Sequence, residues 1–224
     1  MSSLRYALIV DIVRSREVPD RAAAQTAVLD AFARAHDVVP LATPLWATVG
    51  DEFQALADTL PAALWTATVG RLLLPDGLDV RVGIGRGETR DVAQDGDGPA
   101  IKDGSAWWAA RDAIDEAHRR ADRKESPWVR TWFLDGPAAD EATRTSGHDP
   151  SVAVVDAQLL VTDRMIDGMT SPQRSYVGSA ALGRTQAQVA AEHGVTQPAV
   201  SQGLRRSGGT ALLEALALLE EAAR

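Results

Sequence analysis

Two aspartates at the ends of predicted strands are the residues of this chain best suited to chemistry. Asp11 ends the apolar segment LIVDIV, and Asp51 lies at the tip of a predicted hairpin in VGDEFQAL, directly before Glu52. If the first strand lies beside this hairpin, the carboxylates meet at one end of a sheet, where hard cations find oxygen ligands. The pattern therefore predicts a site for two Mg²⁺ ions bound by Asp11, Asp51 and the Ile12 carbonyl, with Glu52 as a third carboxylate.

A short basic segment follows the first predicted strand. Arg14, Ser15 and Arg16 lie in a turn where they can contact phosphate oxygens, so a nucleotide is the expected ligand of the metal site. A structural role is the alternative for the acidic pair. Asp11 can cap the turn after its strand, and Asp51 can be an ordinary hairpin residue, because Asp tolerates such turns.

A second candidate site lies near the C-terminus, over residues 185–206. The spacing predicts a short helix at 186–192, a turn at 193–195 where Gly194 adopts a positive φ, and a second helix. Thr196 is the expected N-cap of this second helix, with Pro198 in its first turn. The residues expected to pack between the two helices are Val189, Ala190, Val195, Val200 and Leu204.

The outward residues of the second helix have side chains suited to DNA. Gln and Ser can hydrogen-bond to base edges, and Arg suits phosphates. The predicted DNA-binding residues are Thr196, Gln197, Ser201, Gln202, Arg205 and Arg206. The segment therefore predicts a helix-turn-helix with DNA as its partner; an ordinary helical hairpin is the alternative, because a motif needs its structural context.

The composition restricts the class of protein. The chain has 224 residues, 45% of them hydrophobic, and no cysteine, so it can bury a core but has neither disulfides nor a cysteine-ligated zinc site. Its apolar runs are too short to span a membrane and no signal-peptide pattern follows Met1, which predicts a cytoplasmic protein without a membrane partner. No HExxH or GxSxG motif is present, so the zinc-protease and serine-hydrolase classes are excluded.

Charge is unevenly distributed along the chain. The net charge is −8, but from Thr170 onward five arginines oppose four glutamates, which gives +1 and leaves −9 for the remainder. The N-terminal part should therefore repel DNA. A nearly neutral DNA-binding end predicts modest affinity per copy, which leaves a homodimer or control by an effector open.

Strand-like and helix-like segments alternate over the first ~135 residues in the order βαββαβαβ. Predicted strands cover 5–12, 45–49, 53–57, 80–85 and 128–134, and predicted helices begin after Asp20, at Pro61 and at Ser105. One strand pair is a hairpin and helices connect the others, so the predicted class is α/β, specifically an α+β ferredoxin-like palm sandwich. The Gly-, Asp- and Pro-rich segments 86–104 and 135–150 are predicted loops, so that GIGRG at 83–87 leaves the strand into a loop.

The remaining segments predict an all-α end. A helix over 152–169 leads to a supporting helix at 171–182, and a last helix covers 210–223. The predicted domains are a palm-like α/β domain at 1–150, a linker helix at 151–170 and a helix-turn-helix DNA-binding domain at 171–224. The apolar stripe of the last helix either packs within the chain, the preferred interpretation, or pairs with a second copy.

Several of these motifs resemble known families. LIVDIV, VGDEF and VRVGIGRGE (Val80–Glu88) are similar to strands of class III nucleotidyl cyclases and diguanylate cyclases, which share a palm domain and bind metal through two such aspartates. The full run, from YALIVDIVRSRE through VGDEFQAL, VRVGIGRGE and DGSAWWAARDAI to the terminal helix-turn-helix, resembles the SatD family of bacterial proteins over nearly the whole chain.

The cyclase resemblance implies one further site residue and one departure. Cyclases carry an Asn and, four residues later, an Arg on one helix, where they orient the ribose and stabilise the transferring phosphate. Arg111 stands at the position of that Arg, which implies phosphate binding, whereas Trp107 stands at the position of the Asn. A Trp can stack on a base but cannot replace an amide.

Three functions are compatible with the sequence. The preferred hypothesis is a DNA-binding regulatory protein whose palm-like domain senses a nucleotide or a metal–nucleotide ligand. The alternative is a nucleotidyl cyclase or nucleotidyltransferase that uses two Mg²⁺ ions at Asp11 and Asp51 and is localised by the helix-turn-helix. In the third, the palm-like domain is only a dimerisation scaffold.

Overall fold

The computed structural model describes residues 4–48, 50–92, 101–136 and 150–224. The strands are β1 (Leu4–Ile12), β2 (Thr43–Ala47), β3 (Glu52–Ala57), β4 (Val80–Glu88), β5 (Arg90–Val92), β6 (Ile101–Asp103) and β7 (Thr131–Asp135). The helices are α1 (Arg21–His36), α2 (Leu60–Leu72), α3 (Ser105–Ala121), α4 (Pro150–Asp167), α5 (Ser171–Ala181), α6 (Gln186–Glu192), α7 (Gln197–Arg206) and α8 (Gly209–Ala223). None of the helices in these described ranges is long and apolar enough to cross a membrane.

A five-stranded mixed sheet forms the centre of the fold, in the order β2-β3-β1-β4-β7. The first four of these strands pair antiparallel, and β7 joins β4 in parallel at the edge. This arrangement confirms the predicted α+β class. Alternate residues of β1 serve two layers: Leu8 and Val10 belong to the core cluster that contains residues of α1 and α2, and Ala7 and Ile9 to the one that contains residues of α3.

The predicted loop over 86–104 is wrong in part. β4 continues to Glu88, and β5 and β6 pair as a short antiparallel ladder; residues 93–100 lie outside the described residues. The loop over 135–150 falls mainly on 137–149, which also lie outside them. The glycines of segment 83–87 lie inside β4, although glycine is usually unfavourable inside a strand. They are tolerated there because α3 packs directly on the backbone of β4.

Three alternate glycines of β4 allow α3 to contact the sheet backbone. An ideal Cβ on Gly83, Gly85 or Gly87 would lie less than 3 Å from backbone atoms of α3. At Gly85, the nearest atoms that such a Cβ would meet belong to Ala106 and Ala110. Small residues on both sides therefore set the distance between α3 and β4, and with it the position of every other side chain on α3.

The sheet edge at β7 is covered by α4. Asp156 Oδ1 accepts the Phe133 amide at 3.0 Å, and Asp163 Oδ2 accepts the amides of Arg130 and Thr131, each at 2.7 Å. The two carboxylates of α4 therefore accept hydrogen bonds from backbone amides at this edge of the sheet. Another strand cannot pair with those amides, so the edge is closed. The segment predicted as a linker helix therefore packs along the sheet.

A buried ion-pair network connects α4 to α2 and to the start of β4. Arg71 of α2, 2% exposed, donates to Asp163 and also, over 3.3 Å, to Asp79, while Arg130 Nε donates to Asp79 at 2.8 Å. Burial opposes ionisation of Asp79, but the charges of Arg71 and Arg130 outweigh it and hold its pKa below the ordinary value. Burial raises the pKa of Asp163, with Arg71 and the backbone donors opposing this effect.

The C-terminal helices pack against α2 and share its core. α2 contacts both α5 and α8, and Val177, Val189, Leu204 and Leu212 belong to the same buried cluster as Leu8. Leu212 and Leu216 are buried in α8, so its apolar stripe packs within the chain, as preferred from the sequence. The predicted boundary near residue 170 is therefore crossed by a continuous core, and independent folding of 171–224 stays a prediction.

The α3–β4 contact gives a stability prediction. Gly85→Ala places a methyl group against backbone atoms of Ala106 and Ala110, which cannot rotate away, so we expect a loss of about 3 kcal/mol in the free energy of unfolding. Gly168→Ala is the control, because nothing lies closer than 3.4 Å to its added Cβ. Urea unfolding followed by circular dichroism measures both; equal stabilities would contradict the close contact.

Candidate functional site: a charged row at the sheet end

A row of charged residues crosses three neighbouring strands. In the backbone register, Asp11 of β1 lies directly opposite Glu52 of β3 on one side and Arg81 of β4 on the other. Directly paired residues present their side chains on the same face, so these three form what we call the charged row. Ile9, two positions before Asp11, packs in the cluster of α3, which places the row on the α3 face.

Each carboxylate of the charged row is bound by an arginine. Arg81 Nη1 lies 3.1 Å from both Oδ atoms of Asp11. From α3, Arg111 Nη2 donates to Glu52 Oε1 at 2.7 Å and lies 2.6 Å from Oε2. Gln54 Nε2 adds a longer contact of 3.4 Å to Glu52. The two carboxylates and two guanidinium groups therefore balance each other's charge.

The environment of Asp11 disfavours its negative charge. Burial raises the pKa of Asp11, and the charge of Asp51 adds to that effect, while Arg81 and His118 oppose it. The net direction is upward, so the fold holds this carboxylate at a cost in stability. Groups held in this way are enriched at functional sites.

Asp51 lies close to the charged row but also faces α1. It follows Gly50 in the turn between β2 and β3, where the Gly50 carbonyl accepts a 2.6 Å hydrogen bond from Gln25 of α1. It lines a narrow cleft together with Ser15 and Arg21, and this cleft has no room for a water molecule. Asp51 is therefore placed between the charged row and the N-terminal turn of α1.

The predicted metal ligands are neighbours, but they do not form a ready-made metal centre. Asp11, Asp51 and Glu52 supply the oxygen donors that Mg²⁺ prefers, yet Asp11 and Glu52 are engaged by arginines. Within the described ranges, no group of three His, Cys, Asp or Glu side chains could hold an ion. The donor chemistry fits Mg²⁺, and the arrangement requires that the arginines release the carboxylates first.

The predicted phosphate-binding residues do not converge at one point. Arg14 and Arg16 are exposed in the turn after β1, around the 3-10 helix Ser15–Glu17, and Arg14 has a φ of 53°. Arg14 lines a larger cavity beside α1. Of the four residues predicted to bind phosphate, Arg111 contacts the charged row directly, and Ser15 lines the narrow cleft with Asp51.

The two adjacent tryptophans of α3 have different environments. Trp107 is 6% exposed and packs edge-on against Trp46 of β2, with ring centroids 5.9 Å apart, whereas Trp108 is 59% exposed. Trp107 Nε1 is buried without a hydrogen-bond partner among the described residues. The ring at the position of the cyclase Asn is thus part of the core between α3 and the edge of the sheet.

Sequence reasoning did not find Arg81. Arg81 is the one charged residue of the segment VRVGIG, in which all other residues are buried, and a charged residue in such a strand is a signal that it faces a partner. The identity of that partner depends on the pairing of β1 with β4, because a shift of one residue would turn Arg81 to the other face.

The second candidate site has the predicted helix boundaries. α6 and α7 are joined by His193, Gly194 and Val195, with φ of 63° at Gly194, and Thr196 Oγ1 accepts the Ala199 amide at 3.4 Å. The buried residues of these two helices are Val189, Ala190, Val200 and Leu204. The prediction that Val195 packs between the two helices is wrong, because Val195 is 38% exposed. Its amide donates to the Ala190 carbonyl and closes the turn.

The outer face of α7 is accessible over its length. Ser201 is half-buried, and the other predicted DNA-binding residues are exposed: Thr196, Gln197, Gln202, Arg205 and Arg206. The first turn of α7 carries no acidic residue, and its last turn carries the two arginines. This helix therefore buries one apolar side and presents amide, hydroxyl and guanidinium groups on the other.

Comparison with solved structures finds bacterial adenylyl cyclases. A bacterial light-regulated adenylyl cyclase is 12% identical, with a TM-score of 0.44, covering 60% of this chain and 43% of that protein. The adenylyl cyclase CyaB from P. aeruginosa is 15% identical, with a TM-score of 0.38, covering 50% of this chain and 71% of that one. This chain thus spans less than half the length of the light-regulated cyclase. No curated protein sequence matches it.

A family comparison covers more than half of the chain. The model of the SatD family matches residues 5–128, from the start of β1 to just before β7. The chain belongs to the SatD family.

The environment of Asp11 gives a prediction for its removal. Because its folded-state pKa is raised, Asp11 favours folding when protonated and costs stability once pH rises through the unfolded and folded pKa values. Asp11→Asn should therefore raise the free energy of unfolding at pH 7, and the gain should disappear near pH 3. Asp30→Asn on the exposed side of α1 is the matched control. An Asp11→Asn variant less stable than the wild type at pH 7 would contradict the upward direction of this pKa.

Proposed function

We propose that this member of the SatD family binds a magnesium–nucleoside triphosphate at the charged row. The observation that supports this proposal is the mutual pairing of two carboxylates with two arginines at one end of the sheet. A metal–nucleotide complex brings a cation and a polyanion together. It can therefore replace both partners of each ion pair at once, whereas a cation or an anion alone would leave one charge without a partner.

In this proposal the basic residues bind the phosphates and the acidic residues bind the metal ion. Arg81 and Arg111 turn to phosphate oxygens, for which guanidinium groups provide paired donors. Asp11, Asp51 and Glu52 provide the oxygen ligands of Mg²⁺, which when bound offsets the charge of the triphosphate.

Nucleotide turnover is the nucleotidyl cyclase-like alternative for the same site. Asp51 and Arg111 would then act on the reacting phosphates. Trp107 is buried against Trp46 and offers no amide group to orient a ribose. Binding without product release is therefore the outcome we propose, which makes the palm-like part of the chain a nucleotide sensor.

DNA binding by α7 is the second candidate function. It is supported by the exposed polar face of a helix whose opposite face is buried through Val200 and Leu204. A recognition helix enters the major groove with its N-terminal residues toward the bases. Gln197 and Gln202 would contact bases, and Arg205 and Arg206, near the end of the helix, would contact phosphates.

The proposed nucleotide site gives a prediction for ligand binding. Calorimetric titration of the full chain with ATP and with GTP should show binding when Mg²⁺ is present and no heat of binding for Mg²⁺ alone, because the carboxylates of Asp11 and Glu52 are already paired. Arg111→Ala should weaken nucleotide binding by at least about tenfold, since a charge-assisted hydrogen bond is lost. Arg119→Ala is the matched control, because it lies on the same helix but pairs with Glu116.

Two results would contradict this proposal. One is the absence of binding by either nucleotide at millimolar concentration with Mg²⁺ present. The other is equal weakening by Arg111→Ala and Arg119→Ala. Release of pyrophosphate, abolished in Asp51→Asn, would instead assign the nucleotidyl cyclase-like alternative.

The prediction for DNA binding is tested on the full chain, because α2 shares a core with the C-terminal helices. Selection from random duplexes at low salt should enrich a sequence, and Gln202→Ala should relax one base position, worth roughly 1–3 kcal/mol of discrimination. Arg205→Ala should weaken all sequences alike and reduce the salt slope by about one contact. Arg224→Ala, an exposed arginine at the end of α8, is the control; failure to enrich any sequence would exclude specific recognition by α7.

A further inference from the structure

A cavity of about 850 Å³ lies beside the N-terminal half of α1, away from the charged row. Its wall is formed by the turn after β1, by α1 and by the loop of residues 75–79 that joins α2 to β4. The volume is within the range of small-molecule sites, roughly 300–1,000 Å³. Three alanines of α1 line it at positions 23, 24 and 27, so small side chains on this helix create the space.

The cavity is on the opposite side of the sheet from the charged row. Ala24 belongs to the core cluster that α1 forms with Leu8 and Val10 of β1, whereas the charged row shares the face of Ile9 and α3. Two of its lining residues, Asp79 and Arg130, form an ion pair with each other, and Asp79 is also bound by Arg71. These charges are satisfied within the protein.

The remaining charged groups of the wall are unpaired within the part of the chain that the structure describes. There, no ion pair or side-chain hydrogen bond involves Arg14, Glu17 or Asp76, although all three line the cavity and are exposed. Between them lie apolar residues such as Val18, Pro19 and Leu78. The wall therefore offers one guanidinium group, two carboxylates and an apolar surface to a ligand.

Arg14 is also the one non-glycine residue with a positive φ among the described residues. A left-handed backbone costs energy for a residue other than glycine, and such residues are enriched at ligand sites. This conformation places Arg14 next to the 3-10 helix that carries Glu17, so a positive and a negative group stand on the same turn.

We propose that this cavity is a second ligand site and binds a zwitterion with an apolar body, of the amino-acid class. The ligand carboxylate pairs with Arg14, the ammonium group with Glu17 and Asp76, and the side chain packs on the apolar wall. A zwitterion is the class selected, because it presents an opposite charge both to Arg14 and to the two carboxylates. The site does not depend on nucleotide binding at the charged row.

Three probes of one shape test the assignment. L-Phenylalanine carries both charges, phenylethylamine only the cation, and 3-phenylpropionate only the anion, and their binding to the full chain is measured by ligand-observed NMR and calorimetry. L-Phenylalanine should bind at least about fivefold more tightly than either analogue, because each loses one charge-assisted hydrogen bond. Mg²⁺-ATP added beforehand should leave this binding unchanged.

Two variants distinguish ligand binding in the cavity from binding through general surface charge. Arg14→Gln should weaken L-phenylalanine and 3-phenylpropionate but not phenylethylamine, whereas Arg16→Gln, on the same turn but outside the cavity wall, should change none of them. Circular dichroism establishes that both variants are folded. The proposal is overturned if no probe binds, if an analogue with one charge binds as tightly as L-phenylalanine, or if the two variants behave alike.

Discussion

Direct contact between α3 and the backbone of β4 is the constraint on which the charged row depends. β4 has glycine at alternate positions and α3 has alanine on the facing side, so the backbone of the helix lies directly on the backbone of the strand. The helix is therefore fixed in height and rotation, and Arg111, one residue after Ala110, is held where it reaches Glu52. A larger residue in either element would move the guanidinium group away from the carboxylate that it now neutralises.

A second set of buried charges joins the remaining parts of the chain. The four residues of this set are Arg71 of α2, Asp79 directly before β4, Arg130 directly before β7 and Asp163 of α4. None of these parts can move without separating charges from their partners. Breaking such a buried pair costs several kcal/mol, about 3–5 when one partner is removed. α2 also packs on α5 and α8, which in turn contact α7. Continuous packing therefore connects the part of the chain that carries the proposed nucleotide site to α7.

Local signals predict most of the elements. Asp20 caps α1 and Thr196 caps α7, as their side-chain chemistry indicates, and the hairpin between β2 and β3 follows from Gly50 and Asp51. Features that depend on distant packing could not be predicted. The segment after Gly85 is rich in glycine, which by itself indicates a loop, because only the presence of α3 explains glycine in a strand.

The same distinction between local signals and distant packing applies to the residues of the candidate sites. Residue type and position identify Asp11 and Glu52, resemblance identifies Arg111, and the structure places all three together. Arg81 was missed because its partner is set by strand register, and the cavity at Arg14 was missed because three separate segments form it. Sequence thus identifies acidic residues at the strand ends, while the arginine that neutralises Asp11 and the space beside α1 required the fold.

The most direct test of the central proposal is a crystal structure of the full chain with Mg²⁺ and a non-hydrolysable nucleoside triphosphate. We expect Arg81 to leave Asp11 and Arg111 to leave Glu52, with both guanidinium groups on phosphate oxygens and the carboxylates facing the metal. A nucleotide bound elsewhere, with Asp11–Arg81 and Glu52–Arg111 both intact, would contradict the proposal.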